Sequence, residues 1–288
     1  MSSVKNISVV IPAYNEANVI RRCLNSLVNS SKNSRVQIVV VANGCSDETA
    51  NRAREFGPDV KVIETEIGSK IHALNLGDEA AEGFPRFYID ADIEFEEGTL
   101  DKLSEELERP GVLAVAPRML VNCNDRPWIV RAYYDVWLQM PYCQSGMIGS
   151  GVYGMSEEGR QRFGEFPKIT ADDGYVRLLF SPSERKTVES CSFAITPPKS
   201  LEKIVDINTR SHFGNAELKK LYPELWTSDE GSHGLSLMKL AINPLWWPSL
   251  AVYIYVKLAV RRRVRERFRR GEIDKWERDE TSREEPAS

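Results

Sequence analysis

Histidine is scarce in this chain of 288 residues: His72, His212 and His233 are the three present, and no two of them stand at a spacing that would clasp zinc. Cysteine is sparse as well. Cys23, Cys45, Cys123, Cys143 and Cys191 are odd in number and widely spaced, with no Cys-x-x-Cys pair, which argues against a disulfide framework and for reduced thiols in a reducing compartment. The N-terminus, MSSVKNISVVIP, lacks the long apolar run and cleavage site of a secretory signal, so none is expected. No internal repeat and no low-complexity block interrupts the chain. Neither sign of charge dominates: 38 Lys and Arg stand against 42 Asp and Glu, for a net charge of −4, and no nucleic-acid partner is expected. With 42% hydrophobic and 28% charged residues, the chain is globular, and its length suits one large α/β domain, alone or with a small appendage.

What is present is an alternation of apolar runs and helical patterns. Ile7–Ile11, Gln37–Val41, Lys61–Glu64, Arg86–Ile89 and Val112–Val115 read as strands. Val19–Leu27, Asp47–Phe56 behind a Ser46 cap, a segment behind a Ser69 cap running to Ala80, and Leu100–Leu107 read as helices. Strands alternating with helices predict a mostly parallel, Rossmann-like sheet, and such sheets bind ligands beyond the carboxyl ends of their strands. Three segments then converge: Pro12–Glu16, Ala42–Asp47 and Asp90–Asp92. Beyond Pro117 the pattern loosens into an aromatic-rich helix over Trp128–Met140, a small-residue stretch over Gly146–Ser156, and a polar turn over Thr170–Gly174 that leads into another apolar helix.

Asp90-Ala91-Asp92 is the first chemical candidate. Two carboxylates two residues apart in extended backbone point the same way and suit a hard divalent cation, Mg²⁺ or Mn²⁺, that clamps phosphate oxygens. A solvated turn is the plainer alternative for such a pair alone. It does not stand alone. VVIPAYNE at Val9–Glu16, VVVANGCSDET at Val39–Thr49, GSKIHALNLG at Gly68–Gly77 and DAD at Asp90–Asp92 occur in the order and spacing of family 2 glycosyltransferases, and the sequence resembles that family over roughly its first two thirds.

The resemblance implies a GT-A fold, a nucleoside-diphosphate-sugar donor and transfer with inversion. It makes Pro12, Ala13, Tyr14, Asn15 and Glu16 the first nucleotide-binding loop, with Tyr14 beside the base and Glu16 near the ribose. It makes Asp90 a ribose-side carboxylate, with Ala91 between it and Asp92, the metal ligand that bridges the diphosphate. It sets Lys70 near the donor. Relatives commonly carry an Asp pair after the second strand, where this chain has Ala42-Asn43. Asn43 offers a donor and an acceptor where Asp would only accept, so the family's preference for a UDP-sugar is weakened to a slight one. The acidic pair Asp172-Asp173 resembles the family's catalytic base, normally its second member. That makes Asp173 the candidate and Asp172 its understudy; a helix start stabilised by two acids is the alternative. Gly149, Ser150 and Gly151 resemble an acceptor loop. Arg210 and His212 fall where relatives place basic groups that meet the diphosphate, and a solvated helix face competes with that role.

The C-terminal segment Leu240–Val256, LAINPLWWPSLAVYIYV, is apolar but broken by Pro244 and Pro248, and RRRVRERFRR follows at Arg261–Arg270. Trp and Tyr suit a membrane interface, and the arginines suit anionic headgroups. An interfacial or re-entrant anchor at the cytoplasmic face of a membrane is therefore expected, against a buried helix pair with a basic surface. A lipid-linked or sugar acceptor fits that setting. The expected layout is a catalytic domain over residues 1–225 (donor half 1–117, acceptor half 118–225), a membrane-associating segment over 235–270, and an acid-rich, disordered tail over 271–288. A nucleotidyltransferase would want a Gly-rich, Arg- and Lys-containing loop after the first strand, which PAYNE is not; a non-catalytic nucleotide-binding or scaffolding protein has no need of Asp92 and Asp173.

Overall fold

The computed structural model describes residues 5–144, 146, 151–226 and 233–270; the expected tail over 271–288 lies outside them. Seven strands form one sheet: β1 (Lys5–Ala13), β2 (Ser34–Asn43), β3 (Val60–Thr65), β4 (Arg86–Ile89), β5 (Ala114–Val121), β6 (Val152–Met155) and β7 (Arg185–Ile195), in the order β3-β2-β1-β4-β6-β5-β7. The pairs β1·β2, β2·β3, β1·β4 and β5·β7 are parallel, and β6 runs antiparallel between β4 and β5. Eleven α-helices are described: α1 (Ile20–Val28), α2 (Thr49–Arg54), α3 (Lys70–Ala80), α4 (Thr99–Leu107), α5 (Trp128–Trp137), α6 (Pro141–Gln144), α7 (Glu157–Arg160), α8 (Asp172–Leu179), α9 (Leu201–Leu221), α10 (His233–Ala241) and α11 (Trp247–Arg270).

The β-branched runs of β1 and β2 and the aromatic β4 are buried on both faces, as parallel strands covered by helices must be. Ile7, Val9 and Ile11 of β1 pack with Ile20, Leu24 and Leu27 of α1 and Leu100 and Leu103 of α4. Val10, on the opposite face, meets Ile71 and Leu74 of α3 together with Tyr88 and Tyr153. The alternation follows from the period of two along a strand. A third core joins α5, α9 and α11 through Val130, Tyr133, Val136, Ile204, Tyr253, Val256 and Val260.

Several expectations change. The stretch Gly146–Ser156 is not loop throughout: Val152–Met155 is β6, in the middle of the sheet. The polar turn at Thr170–Gly174 is in part the first turn of α8, which starts at Asp172. Helix α2 is shorter than Asp47–Phe56, and Ser46 does not cap it; the Ser46 N–H donates to Asn15 Oδ1 at 2.8 Å instead. Ser69 does cap α3, accepting from the His72 N–H at 3.3 Å. Pro248 falls at the second residue of α11, where its missing N–H costs no helical bond.

Candidate active site

The carboxyl ends of β1, β2 and β4 lie side by side, and the loops that follow them are tied together by buried hydrogen bonds. Pro12 and Ala13 are the last, buried residues of β1. Asn15 follows with φ +52°, a left-handed turn that Asn tolerates better than most residues. The Glu16 N–H donates to Thr49 Oγ1 at 2.7 Å and the Ala17 N–H to Asp47 Oδ2 at 3.1 Å, while Asp47 Oδ1 accepts from the Thr49 N–H at 3.0 Å. Asp47 and Thr49 thus hold the Tyr14–Ala17 turn from the neighbouring loop, an arrangement the sequence reading missed; an Asp two residues before a Thr is a local side-chain-to-backbone signal that could have found it. Asn43 is buried, and its amide donates to the Ala13 carbonyl at 2.8 Å. Its NH₂ therefore braces β1 against β2.

The loop after β3 closes on the same place. Gly44, at φ +62°, has no room for a Cβ, which would stand 2.8 Å from the Gly68 Cα. A Cβ on Gly68 would in turn stand 3.5 Å from the Tyr14 ring. Half-buried Tyr14 is consequently shelved against the backbone just before α3.

Asp90 follows the last residue of β4, and the chain then turns: the Ile93 N–H donates to the Asp90 carbonyl at 3.1 Å. The extended Asp-Ala-Asp geometry expected from the sequence is replaced by this turn, with Ala91 buried in the first core and Asp92 exposed. The Asp90 N–H donates to the Gly151 carbonyl at 2.7 Å. Gly151 has φ +91°, and a Cβ there would lie 3.1 Å from Asp90 Oδ2. The expected acceptor loop therefore touches Asp90 at Gly151; Gly149 and Ser150 lie outside the described residues.

Lys70 links the two acidic sites. Its Nζ is 2.9 Å from Asp90 Oδ1 and 3.2 Å from Asp172 Oδ1. A cation in the first turn of α3 opposes the helix dipole, and the two carboxylates offset that cost. Burial by itself would lower the Lys70 pKa, but Asp172, then Asp90 and Asp173, hold it above the ordinary lysine value. Asp172 is 4% exposed, and its Oδ2 accepts from the Tyr153 hydroxyl at 3.4 Å. Tyr153 is itself stacked on Tyr88 with ring centroids 5.1 Å apart. Burial raises the Asp172 carboxyl; Lys70 counters this, and Asp173 and Asp90 add to it, leaving the group above the usual carboxylate range. One ammonium thus faces the carboxylates of Asp172, Asp90 and Asp173. Asp173 is half-buried beside it.

Helix α9 closes the site from the other side. A Cβ on Gly214 would lie 3.0 Å from the Ala171 Cβ, and one on Gly174 would lie 3.1 Å from the Leu218 side chain. Arg210 stands one turn before Gly214 and so shares the face turned toward Ala171, the residue that precedes the acidic pair. His212 is exposed and two residues from Gly214, on nearly the opposite face. Helical spacing alone turns the two basic candidates to different faces of α9, with Arg210 on the Gly214 side. Among the described residues no cluster of three or more His, Cys, Asp or Glu side chains forms a ready-made metal site.

A family model described as glycosyl transferase family 2 matches residues 8–163. Among curated relatives, the chain is 34% identical over 96 residues to glycosyltransferase AglE of Haloferax volcanii, covering 32% of each. It is 25% identical over 196 residues to a 4,4'-diaponeurosporenoate glycosyltransferase of Staphylococcus aureus, covering 64% of this chain and 49% of that protein. Those matches span a third to a half of the relatives' own lengths. Among solved structures, the mannosyltransferase PcManGT from Pyrobaculum calidifontis, in complex with GDP-Man and Mn2+, superposes with a TM-score of 0.58 at 21% identity, over 92% of this chain and 73% of that one. S. aureus TarS 1-349 in complex with UDP-GlcNAc superposes with a TM-score of 0.55 at 16% identity, over 92% of each chain. These likenesses are of fold, the GT-A arrangement. The family match runs over more than half of the sequence, from β1 through the Asp90 turn and β6, and on it the chain belongs to glycosyl transferase family 2.

Proposed function

We propose that the protein transfers a sugar from a nucleoside-diphosphate sugar to an acceptor hydroxyl with inversion at the anomeric carbon. The observation that carries this reading is the Lys70 bridge, which ties the donor-side Asp90 to Asp172 of the acidic pair. Donor and acceptor sites then share one wall. Tyr14 and Glu16 receive the nucleoside at the end of β1. Asp173, at the start of α8, takes the proton of the acceptor hydroxyl as its oxygen attacks the anomeric carbon, and the bond from that carbon to the diphosphate oxygen breaks. Asp172 is the positioning neighbour, fixed by Lys70 and Tyr153. Arg210, on the Gly214 side of α9, is assigned to the departing diphosphate, and exposed His212 is the lesser candidate for that role.

The donor set suits a divalent cation. Asp92 is an exposed carboxylate on a turn beside Asp90, and Mg²⁺ or Mn²⁺ is commonly held by one or two carboxylates with the remaining positions taken by water and substrate phosphates. Asp92 would hold such a cation, which would supply positive charge against the leaving diphosphate. A UDP-sugar keeps its slight preference as donor. The structural neighbours carry both GDP-Man and UDP-GlcNAc, and both bases belong in the test. A peripheral contact of segment 235–270 with the cytoplasmic face of a membrane, and a sugar or lipid-linked acceptor, complete the reading.

The test is a thermal-shift screen of UDP- and GDP-sugars with Mn²⁺, followed by turnover of whichever raises Tm. Ligands that bind only the folded state stabilise it by mass action. Failure of every nucleotide sugar both to shift Tm and to be consumed would overturn the proposal.

A further inference from the structure

Helix α11 has two unlike faces. Leu250, Tyr253, Val256, Val260 and Val264 are buried, packed against α5 and α9. The opposite stripe is exposed along the whole helix. Over its first half that stripe carries Trp247, Ile254, Tyr255 and Leu258, which are 50–60% exposed; over its second half it carries Arg261, Arg262, Arg265 and Arg269, all exposed. The apolar half extends onto the preceding turn and α10. There Met238 is 67% exposed, Ile242 82% and Leu245 85%, while Leu237 and Leu240 turn inward onto the third core. One outer surface therefore runs from large apolar groups straight into a row of arginines, over the length of a helix of 24 residues, about 36 Å.

Apolar side chains at this exposure cost solvation in water unless something covers them, and a contiguous patch of this kind marks an interaction surface. The chemistry of the continuation selects the occupant. A second copy of this chain would set arginine rows against one another or against apolar groups, whereas a bilayer with anionic headgroups offers hydrocarbon for Ile242, Leu245 and Ile254 and phosphate for the arginines in the same plane. We infer that the outer face of α10 and α11 lies flat in the interface of an anionic membrane. The segment is then neither re-entrant nor a detached anchor: its inner face is core, and its outer face is the docking surface. Because α11 packs on α9, and α9 packs through Gly214 on Ala171 beside Asp172, the docked helix sets the height of the acidic pair above the bilayer. This deepens the proposed function, on which it rests, by assigning the surface from which a lipid-linked acceptor would be presented.

The experiment is sedimentation of the full-length protein with phosphatidylcholine vesicles, with and without phosphatidylglycerol, across a salt series. Binding to the anionic vesicles is expected, in two parts. R261Q/R262Q/R265Q should lower the partition coefficient at low salt by on the order of 100-fold, about fivefold per headgroup contact, and flatten its salt dependence. I242S/L245S should remove the binding that survives high salt. All five positions are exposed, so an unchanged Tm identifies folded variants. Absence of wild-type binding to anionic vesicles at low salt overturns the inference. So does a concentration-dependent dimer in light scattering that I242S/L245S abolishes while vesicle binding is unaffected. A nucleotide-sugar thermal shift measured on the same protein separates the two proposals: a shift without vesicle binding sinks the docking surface and leaves the transferase reading standing.

Discussion

At the scale of single residues, the site sets three aspartates in three environments. Asp92 is exposed on the turn after β4. Asp92→Asn should therefore leave Tm unchanged while nearly abolishing sugar transfer, and EDTA should do the same to the wild type; undiminished turnover in either case removes the metal role. Asp173 and Asp172 differ more. Asp172 is buried and ion-paired to Lys70, and Asp173 is half-buried. Asp173→Asn is expected to lower kcat by ~10²–10⁴ with donor affinity little changed. Asp172→Asn removes one of the two close partners of the Lys70 ammonium and should register in Tm as well as in rate. If instead Asp172→Asn proves the more damaging to kcat at unchanged Tm, the base is Asp172.

At the scale of elements, α3, β4 and α7 are joined by one acidic side chain. Asp78 accepts from Arg86 Nη1 at 2.7 Å and from Arg160 Nη2 at 2.6 Å, and the Tyr88 hydroxyl donates to it as well. Burial would raise the Asp78 pKa; the hydrogen bonds from Arg160, Tyr88 and Arg86 outweigh it and hold the carboxyl below its ordinary value. A depressed carboxylate stabilises the fold above its unfolded pKa, and that contribution is lost as pH falls through the folded one. Asp78→Asn should thus cost about 3–5 kcal/mol near neutral pH by stranding two partly buried guanidinium groups. The gap to wild type, read from denaturant unfolding, should shrink below pH ~4. A gap that stays constant down to pH 2 would show that the anion is not what holds these elements together.

At the scale of the whole molecule, α11 belongs to the core as well as to the surface. Val256 is fully buried, and Tyr253 stacks on Tyr133 of α5 with ring centroids 5.5 Å apart. Truncation before Leu235 uncovers that core, so the truncated protein should melt at a lower temperature than the full chain and lose solubility. Val256→Ala should cost about 1–3 kcal/mol in an otherwise intact protein. An unaltered melting temperature after truncation would mean that α5 and α9 close their core without α11.

The strand-and-helix alternation of the first 117 residues was legible because buried parallel strands read as unbroken apolar runs, and because PAYNE and the Ser69 cap are local signals that need no distant partner; the turn at Asp90–Asp92, expected as extended backbone, was not. The mostly parallel sheet and the helix behind Ser69 followed from that alone. What lies beyond Pro117 was decided by tertiary contact. β6 is four residues long with Gly154 in its middle, too short and too weak in local preference to be seen, and it exists because β4 and β5 supply hydrogen bonds on both sides. The same holds inside the site. Sequence could nominate Lys70, Asp90 and Asp172, but only the fold brings carboxylates 20 and 102 positions from Lys70 onto its one ammonium group. And it divided the C-terminal segment between the core and the exposed face, because a helix presents every third or fourth residue to the same side, and which side is covered depends on the neighbours it meets.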